Sequence, residues 1–305
     1  MALIATFFVA FTDARAGGDF NDFETDLPGV AEGIGTTFAV TQSEYKNITL
    51  ESSEEIYARV ESVPEIIILV VEPTSDATSS QLVVEGLDSN TNYYLYEDNY
   101  HNLTVFNTDK DGSLSFTQEL NSRHTIFIQP RASTLFLRND ATGGDCAAIG
   151  LWDASAKTCI LTGDVDDAIQ IDADGITLDG SGYTNTGHNT GNGVYIYGKR
   201  GVIVKNLTIT NFTYGIFLNG AASTTLEGNF LTANYLGLRM NATNNNFLKD
   251  NVMSHNQNMG IYIMFESGNN TLVGNVMFDN RPNFYIRSFL WNAFGNRIDT
   301  TNTVE

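Results

Sequence analysis

The chain has 305 residues, enough for two ordinary domains with a core in each. Acidic residues outnumber basic ones 36 to 16, a formal charge of −20, and such a surface repels phosphate backbones and anionic lipid, which argues against nucleic acid as a partner. Charged residues are only 17% of the chain, and the wealth of Asn, Thr, Ser and Gly predicts a turn-rich, all-β protein rather than a helical one.

The first residues, "MALIATFFVAFTDARAGGDF", are apolar for about ten positions and then offer Ala14-Arg15-Ala16. That is the outline of a signal peptide's apolar region and cleavage site without its positively charged leader. The segment is too short to span a bilayer. Its residues Ile4, Thr6, Phe7, Phe8, Val9 and Phe11 equally suit a strand donated to a neighbouring copy. Residues 1–33 are read as a signal-like or strand-donating tail with its linker.

Residues 34–138 read as a β-sandwich. Runs such as "EIYARVES", "EIIILVVEP", "SQLVVEGL", "TIFIQP" and "STLFLR" are separated by turn residues every eight to twelve positions. "TDKDGSLSF" is a hairpin with an Asp-Gly turn, and its Asp109 and Asp111 supply half of a calcium-loop pattern whose other ligands are missing. The segment "LDSNTNYYLY" resembles the tyrosine corner of fibronectin type III domains, with Leu87 six residues before Tyr93. The resemblance implies that the Tyr93 hydroxyl bonds back to the chain just upstream.

Residues 139–165 hold both cysteines, Cys146 and Cys159. A disulfide closing a loop of this size is worth ~3 kcal/mol in the chain-entropy model. It fits the secreted look of the rest, against the alternative of two buried thiols.

Residues 166–305 repeat. Glycine followed by an aliphatic residue recurs at Gly193-Val194, Gly215-Ile216, Gly237-Leu238 and Gly260-Ile261, spaced 22, 22 and 23 apart. Short apolar runs of period two are strands, and a repeat of this length predicts a coil of parallel strands whose turns stack at ~4.8 Å. Val194, Ile216, Leu238 and Ile261 should then form one inward column. Two asparagine columns are expected at the corners, Asn206, Asn229, Asn251 and Asn275, and Asn211, Asn234, Asn256 and Asn280.

With "AIQIDADGITLDGSGYTNTG" as a first rung and "CAAIGLWDASAKTCILTGDV" before it, residues 166–298 resemble the right-handed parallel β-helix proteins with NosD-type or CASH repeats, which have a pectin-lyase-like fold. The resemblance implies a short right-handed parallel β-helix, which follows the N-terminal β-sandwich read from the strand runs. It leaves the chemistry open, because that family spans lyases, epimerases, hydrolases and structural fibres.

Candidate catalytic residues are few. Asp172 and Asp179 on the first rung should face outward, and glycosidases need two carboxylates flanking one bond. His188 in "TNTGHNTGNG" resembles the histidine of polygalacturonases, but no Arg-x-Lys follows. The middle rungs offer Lys205, Glu227, Arg239, Lys249, Asp250 and Glu266 without a clustered carboxylate pair. No His, Met or Cys group has metal-ligand spacing, so no cofactor is expected, with calcium as the one ion the acids would suit. Tyr195, Tyr197, Tyr214 and Tyr262 would make an outward aromatic stripe able to stack on sugar rings. Six Asn-x-Ser/Thr sequons occur; Asn102, Asn241 and Asn269 lie in expected loops, whereas Asn206 and Asn211 should be locked in their columns.

These features predict a secreted or cell-surface structural protein, leaning non-enzymatic, without a membrane span. It would polymerise with itself through stacked rungs, the aromatic last turn (Phe284, Phe289, Trp291, Phe294) and the donated tail. The alternative is a carbohydrate-binding or carbohydrate-cleaving β-helix with cell-surface polysaccharide as its partner.

Overall fold

The computed structural model describes residues 29–131, 133–264, 266–286, 296–298 and 301–304. The expected strand at Ala2–Phe11 and the aromatic positions Phe289, Trp291 and Phe294 lie outside the described residues.

The N-terminal module is one continuous antiparallel sheet folded over on itself as a sandwich. Its strands are β1 (Val30–Val40), β2 (Ile48–Val63), β3 (Ile66–Pro73), β4 (Ser79–Glu85), β5 (Asn92–Glu97), β6 (Leu103–Asn107), β7 (Leu114–Glu119) and β8 (His124–Gln129). They lie in the order β6-β5-β8-β3-β2-β4-β7, with β1 against β2. The long β2 serves both layers. Thr49–Ser52 pairs with β4, and Ile56–Val63 pairs with β3. The register of β1 against it shifts between Gly35 and Thr37, and such an irregularity bends a strand. Leu50, Ile56, Leu69, Leu82 and Ile126 fill the space between the layers. The expected tyrosine corner is present: the Asp88 amide donates to the Tyr93 hydroxyl at 3.3 Å.

One expected sandwich strand belongs elsewhere. Thr134–Leu137, the "STLFLR" run, pairs in parallel with Ala168–Ile171 and starts the solenoid. Its alternation is that of any half-buried strand, so period alone could not assign it to a layer.

The second module is a parallel solenoid of about six turns with three sheets. One sheet stacks Ala168–Ile171, Asn192–Tyr197, Tyr214–Asn219, Leu236–Asn241, Ile261–Ile263 and Phe284–Ile286. Val194, Ile216, Leu238 and Ile261 lie in register in one inward column, each no more than 1% exposed. The recurrent glycine has a steric cause. A Cβ on Gly193, Gly215 or Gly237 would sit 2.6 Å from the carbonyl oxygen of the glycine in the next rung. Only glycine lets the corner close this tightly.

The asparagine columns exist, but their first members do not belong to them. Asn229, Asn251 and Asn275 stack: Asn251 donates from its amide nitrogen to the Leu226 carbonyl at 2.8 Å and to Asn275 Oδ1 at 2.9 Å, and accepts from Asn229 at 3.0 Å. Asn234, Asn256 and Asn280 form the second column. Lys205 pairs with Glu227, so Leu207 stands in the first column, and Phe212 likewise stands in the second. Asn206 and Asn211 fall one residue earlier, at left-handed corner positions with φ of 54° and 60°. A third column, Asn246, Asn270 and Asn296, occupies another corner. Asn241, expected in a loop, closes a strand at 3% exposure and donates to Asn219 at 3.2 Å.

Cys146 and Cys159 form the expected disulfide. It ties the short helix α1 (Cys146–Ile149) to Thr158–Leu161, the strand on which Thr177–Asp179 stacks. The half-cystines join the solenoid core cluster and so cover its N-terminal end.

Asn251→Ala removes a buried amide that serves three chain segments and should lower stability by about 1–3 kcal/mol. Asn206→Ala, at an exposed corner, should cost far less. Urea unfolding of the two variants beside the parent checks the register directly.

Candidate functional site

The sandwich does not trail from the solenoid; it is pressed onto the outward face of the glycine-bearing sheet. The reason is legible in β3, whose run Ile66–Val71 is buried on both sides. Ile67 and Leu69 enter the sandwich core, while Ile66 and Ile68 join Phe127, Tyr195, Tyr214, Phe217, Met259 and Tyr262 in a second apolar layer between the modules. Tyr195, Tyr214 and Tyr262 are therefore 0–1% exposed. Three of the four residues of the expected sugar-stacking stripe are sealed from solvent. Only Tyr197, at the margin, is half-buried.

Charged groups in that layer are paired, although Arg239 Nε and Asn192 Oδ1 are buried without a hydrogen-bond partner. Arg239, one of the charged residues of the middle rungs, reaches Glu61 of β2 through two bonds, 2.6 Å to Oε2 and 2.8 Å to Oε1. Arg59 binds the same carboxylate at 2.6 Å and also Glu32, which accepts from the Tyr57 hydroxyl at 2.7 Å. The Tyr214 hydroxyl donates to Glu61 at 2.9 Å, and the Arg239 guanidinium lies over the Phe217 ring, 4.9 Å from its centroid. Two arginines and two glutamates cancel, so the cluster brings no net charge into the layer. Burial by itself would raise the Glu61 carboxyl, but Arg239 and Arg59 outweigh it and hold the group down to about 2.

Beside this layer lies a cleft of about 720 Å³ that both modules line. Asn99 and His101 come from the sandwich; Arg138, Gln170, Asp172, Tyr197 and Lys199 come from the solenoid and its lead-in. Asp172 is its centre. The carboxylate contacts His101 Nε2, accepts from Gln170 at 2.5 Å and lies 3.6 Å from the Arg138 guanidinium. The His101 ring stacks on Phe136 with centroids 3.9 Å apart. Asp140 also lines the cleft, so two carboxylates stand there beside a histidine, an arginine and a lysine.

The other sequence candidates do not gather here. Asp179 lies on a different sheet, bonded to Lys205 at 3.1 Å and to the Ser181 amide at 2.9 Å, which hold its carboxyl below the ordinary range against its partial burial. His188 is an exposed loop residue. Asp109 accepts from the amides of Asp111 and Ser113 at 2.9 and 2.8 Å, which is how an aspartate closes its own turn. His101 and Arg138 escaped the sequence reading because neither lies in a motif and 71 positions separate His101 from Asp172.

Residues 131–304 match the family described as "Periplasmic copper-binding protein (NosD)". The chain belongs to the NosD family. No curated protein is similar enough to the chain to count as a match. Among solved structures, the catalytic domain of a GH87 alpha-1,3-glucanase in complex with nigerose is 11% identical, with 85% of this chain covering 57% of that one at a TM-score of 0.36. A variant of such a domain in complex with tetrasaccharides is 11% identical at 90% and 63% coverage and a TM-score of 0.37. The catalytic unit of a thermostable GH87 alpha-1,3-glucanase from Streptomyces thermodiastaticus is 11% identical at 80% and 68% coverage and a TM-score of 0.23. The chain thus spans about 60% of the first two, and scores this low say nothing of what it binds.

The NosD description carries copper, and the donors of the matched stretch do not fit that metal. Its two cysteines are joined to each other. Met240, Met253 and Met277 are buried in the solenoid core, and Met259 and Met264 lie under the sandwich. His255 is exposed, 3.4 Å from Asp279 and edge-on to the Phe278 ring. Soft copper ligands must converge on one point, and these are dispersed. Among the described residues, three His, Cys, Asp or Glu ligands converge at Glu97, Asp98 and His124, outside the match. Among those residues no helix is long and apolar enough to cross a membrane.

The depressed Glu61 carboxyl makes acid stability a measure of the clamp. Its contribution is complete above the ordinary value of 4.5 and is lost as pH falls through about 2. Melting temperature should drop between those limits, and Glu61→Gln should flatten that part of the profile. Arg239→Met leaves the carboxylate with one guanidinium and should cost about 3–5 kcal/mol at neutral pH, read by denaturant unfolding.

Proposed function

We propose that this NosD-family protein is a non-catalytic structural protein of the cell exterior that associates end to end with copies of itself. The observation that carries the reading is the sealed face. The solenoid surface that would present aromatic residues to a glycan is consumed by the sandwich, through Tyr195, Tyr214, Tyr262 and the Glu61–Arg239 clamp. A protein that spends this face on internal rigidity serves as a spacer. Self-association draws on the stacking itself. Strands stacked in parallel register add rungs through the same ladder bonds that join them within the chain. The disulfide and the acidic surface suit an oxidising compartment outside the cytoplasm. Neither copper nor calcium has a part in this role.

Sedimentation velocity over a wide concentration range should show mass growing in whole-chain steps; a strict monomer throughout sinks the self-association. Incubation with uronate polymers and neutral glycans, with and without calcium, should yield neither reducing ends nor unsaturated products. An activity that disappears in Asp172→Asn or Asp179→Asn would overturn the non-catalytic reading. If the source cell glycosylates, peptide mapping should find sugar at the exposed Asn102 and Asn269 and none at the buried Asn241.

A second reading is favoured by the cleft alone. Arg138 and Lys199 beside Tyr197 suit a cell-surface polysaccharide bearing carboxylates, with ring stacking on the tyrosine and with Asp140 and Asp172 as acceptors for sugar hydroxyls. Affinity for oligogalacturonate that falls at least tenfold in an Arg138→Ala, Lys199→Ala double variant would establish it; equal retention by both proteins would remove it.

A further inference from the structure

The strand β5 ends on two acids in sequence, Glu97 and Asp98. Consecutive side chains of a strand point to opposite faces, yet these two turn toward one imidazole. Asp98 is the cause: it leaves the strand in a left-handed conformation, φ 61°. Its amide donates to the Thr125 carbonyl at 2.7 Å, which sets it beside the start of β8. His124 Nδ1 then lies 2.8 Å from Asp98 Oδ2 and 3.1 Å from Glu97 Oε1. The three side chains are 10%, 16% and 30% exposed.

On the far side of the ring, His124 Nε2 lies 3.0 Å from Asn121 Oδ1 and 3.3 Å from the Ser122 hydroxyl. In the tautomer that donates from Nε2 to Asn121, Nδ1 is free to take a cation between the two carboxylates. No lysine or arginine is paired with either acid among the described ion pairs. The carboxylates are oriented by donors of their own. Gln118 donates to Glu97 Oε1 at 2.9 Å, and the Thr125 amide donates to Asp98 Oδ1 at 2.8 Å. A ring nitrogen set against an amide oxygen, with carboxylates oriented by their own donors, is an arrangement that suits metal ligands.

We propose that Glu97, Asp98 and His124 form a binding site for a divalent cation of the zinc class. Zinc takes imidazole nitrogen and carboxylate oxygen at roughly 2.0–2.2 Å, which places neighbouring ligands roughly 3.4 Å apart in a tetrahedral site. The two nitrogen–oxygen separations, 2.8 and 3.1 Å, would open by roughly 0.6 and 0.3 Å to reach it, and the three ligand atoms already lie within 4.8 Å of one another. One nitrogen and two oxygens leave a fourth position for water. The ion would neutralise two half-buried charges and fix the Asp98 turn, whose carbonyl accepts from the Tyr195 hydroxyl at 2.6 Å. The site therefore stiffens the edge of the seam, beside the cleft lined by Asn99 and Tyr197. It lies outside residues 131–304 and is independent of the copper in the family's description.

Zinc chloride titrated calorimetrically into the chelator-treated full chain should bind with one equivalent at this site, and cobalt in its place should give visible absorption bands of a low-symmetry site. Zinc should raise the melting temperature, since a ligand of the folded state stabilises by mass action. Glu97→Gln keeps the shape of a partly exposed side chain, and a cooperative melt verifies its fold. It should weaken zinc at least tenfold, and His124→Gln should abolish the cobalt bands. Absence of zinc binding at millimolar metal would show a plain imidazolium–carboxylate ion pair and overturn the proposal. Binding that persists unchanged in both variants would place the zinc elsewhere and overturn it equally.

Discussion

Glu61 accepts from two arginines and a tyrosine that come from both modules, and the relation of sandwich to solenoid rests on that convergence. Arg239 needs the carboxylate as much as the carboxylate needs it, because a guanidinium without a counter-charge on a dry sheet face would be strongly destabilising. Its partner is supplied 178 residues earlier in the chain. The surrounding aromatic layer excludes the water that would otherwise screen the pair. A buried clamp of this kind contributes modestly to net stability compared with an apolar core, but it allows one docking register only. Sliding the sandwich by one rung would bury Glu61 against Phe217 or Tyr262 instead.

Rung stacking supplies the other half of the design. Parallel strands in register place equal positions at one strand spacing, so any polar side chain is met by its own copy above and below. Asparagine is suited to such a corner because its amide has both donors and acceptors to pass along the column. Apolar residues in the inner columns need no partner beyond each other. The faces that result differ in kind: one sheet is given to the sandwich, and the other two carry alternating Thr, Lys and Glu to solvent. The cleft at the seam depends on this division, since side chains of both modules meet water there.

The seam gathers the residues with chemistry. Asp172, Arg138 and Lys199 come from the first turns of the solenoid, and His101 comes from the loop after β5. Glu97 and Asp98 precede that same loop. A single short segment, 97–101, thus edges the cleft and contributes to the cation site, while the Tyr195 hydroxyl holds its backbone. Whatever binds at either place acts on the same piece of chain.

What the sequence determined by itself was everything set by local period. The alternation in each rung, the inward column from Val194 to Ile261, the disulfide and the Tyr93 corner all depend on neighbours within one repeat or one turn. The asparagine columns were legible with one slip. "IVKN" and "LEGN" look alike, yet Asn206 occupies the left-handed corner and Asn229 the ladder one step later; both positions favour asparagine for different reasons. The Asn246 column was hidden by longer and uneven spacing. Tertiary structure alone decided what outward means. Period two sends Tyr195, Tyr214 and Arg239 away from the solenoid core, and nothing local says whether solvent or another module waits there. The meeting of His101 with Asp172, and of Arg239 with Glu61, is fixed by docking across 71 and 178 residues of chain. Contacts at such separations leave no periodic trace in the sequence, because the force that selects them acts between finished surfaces rather than along the backbone.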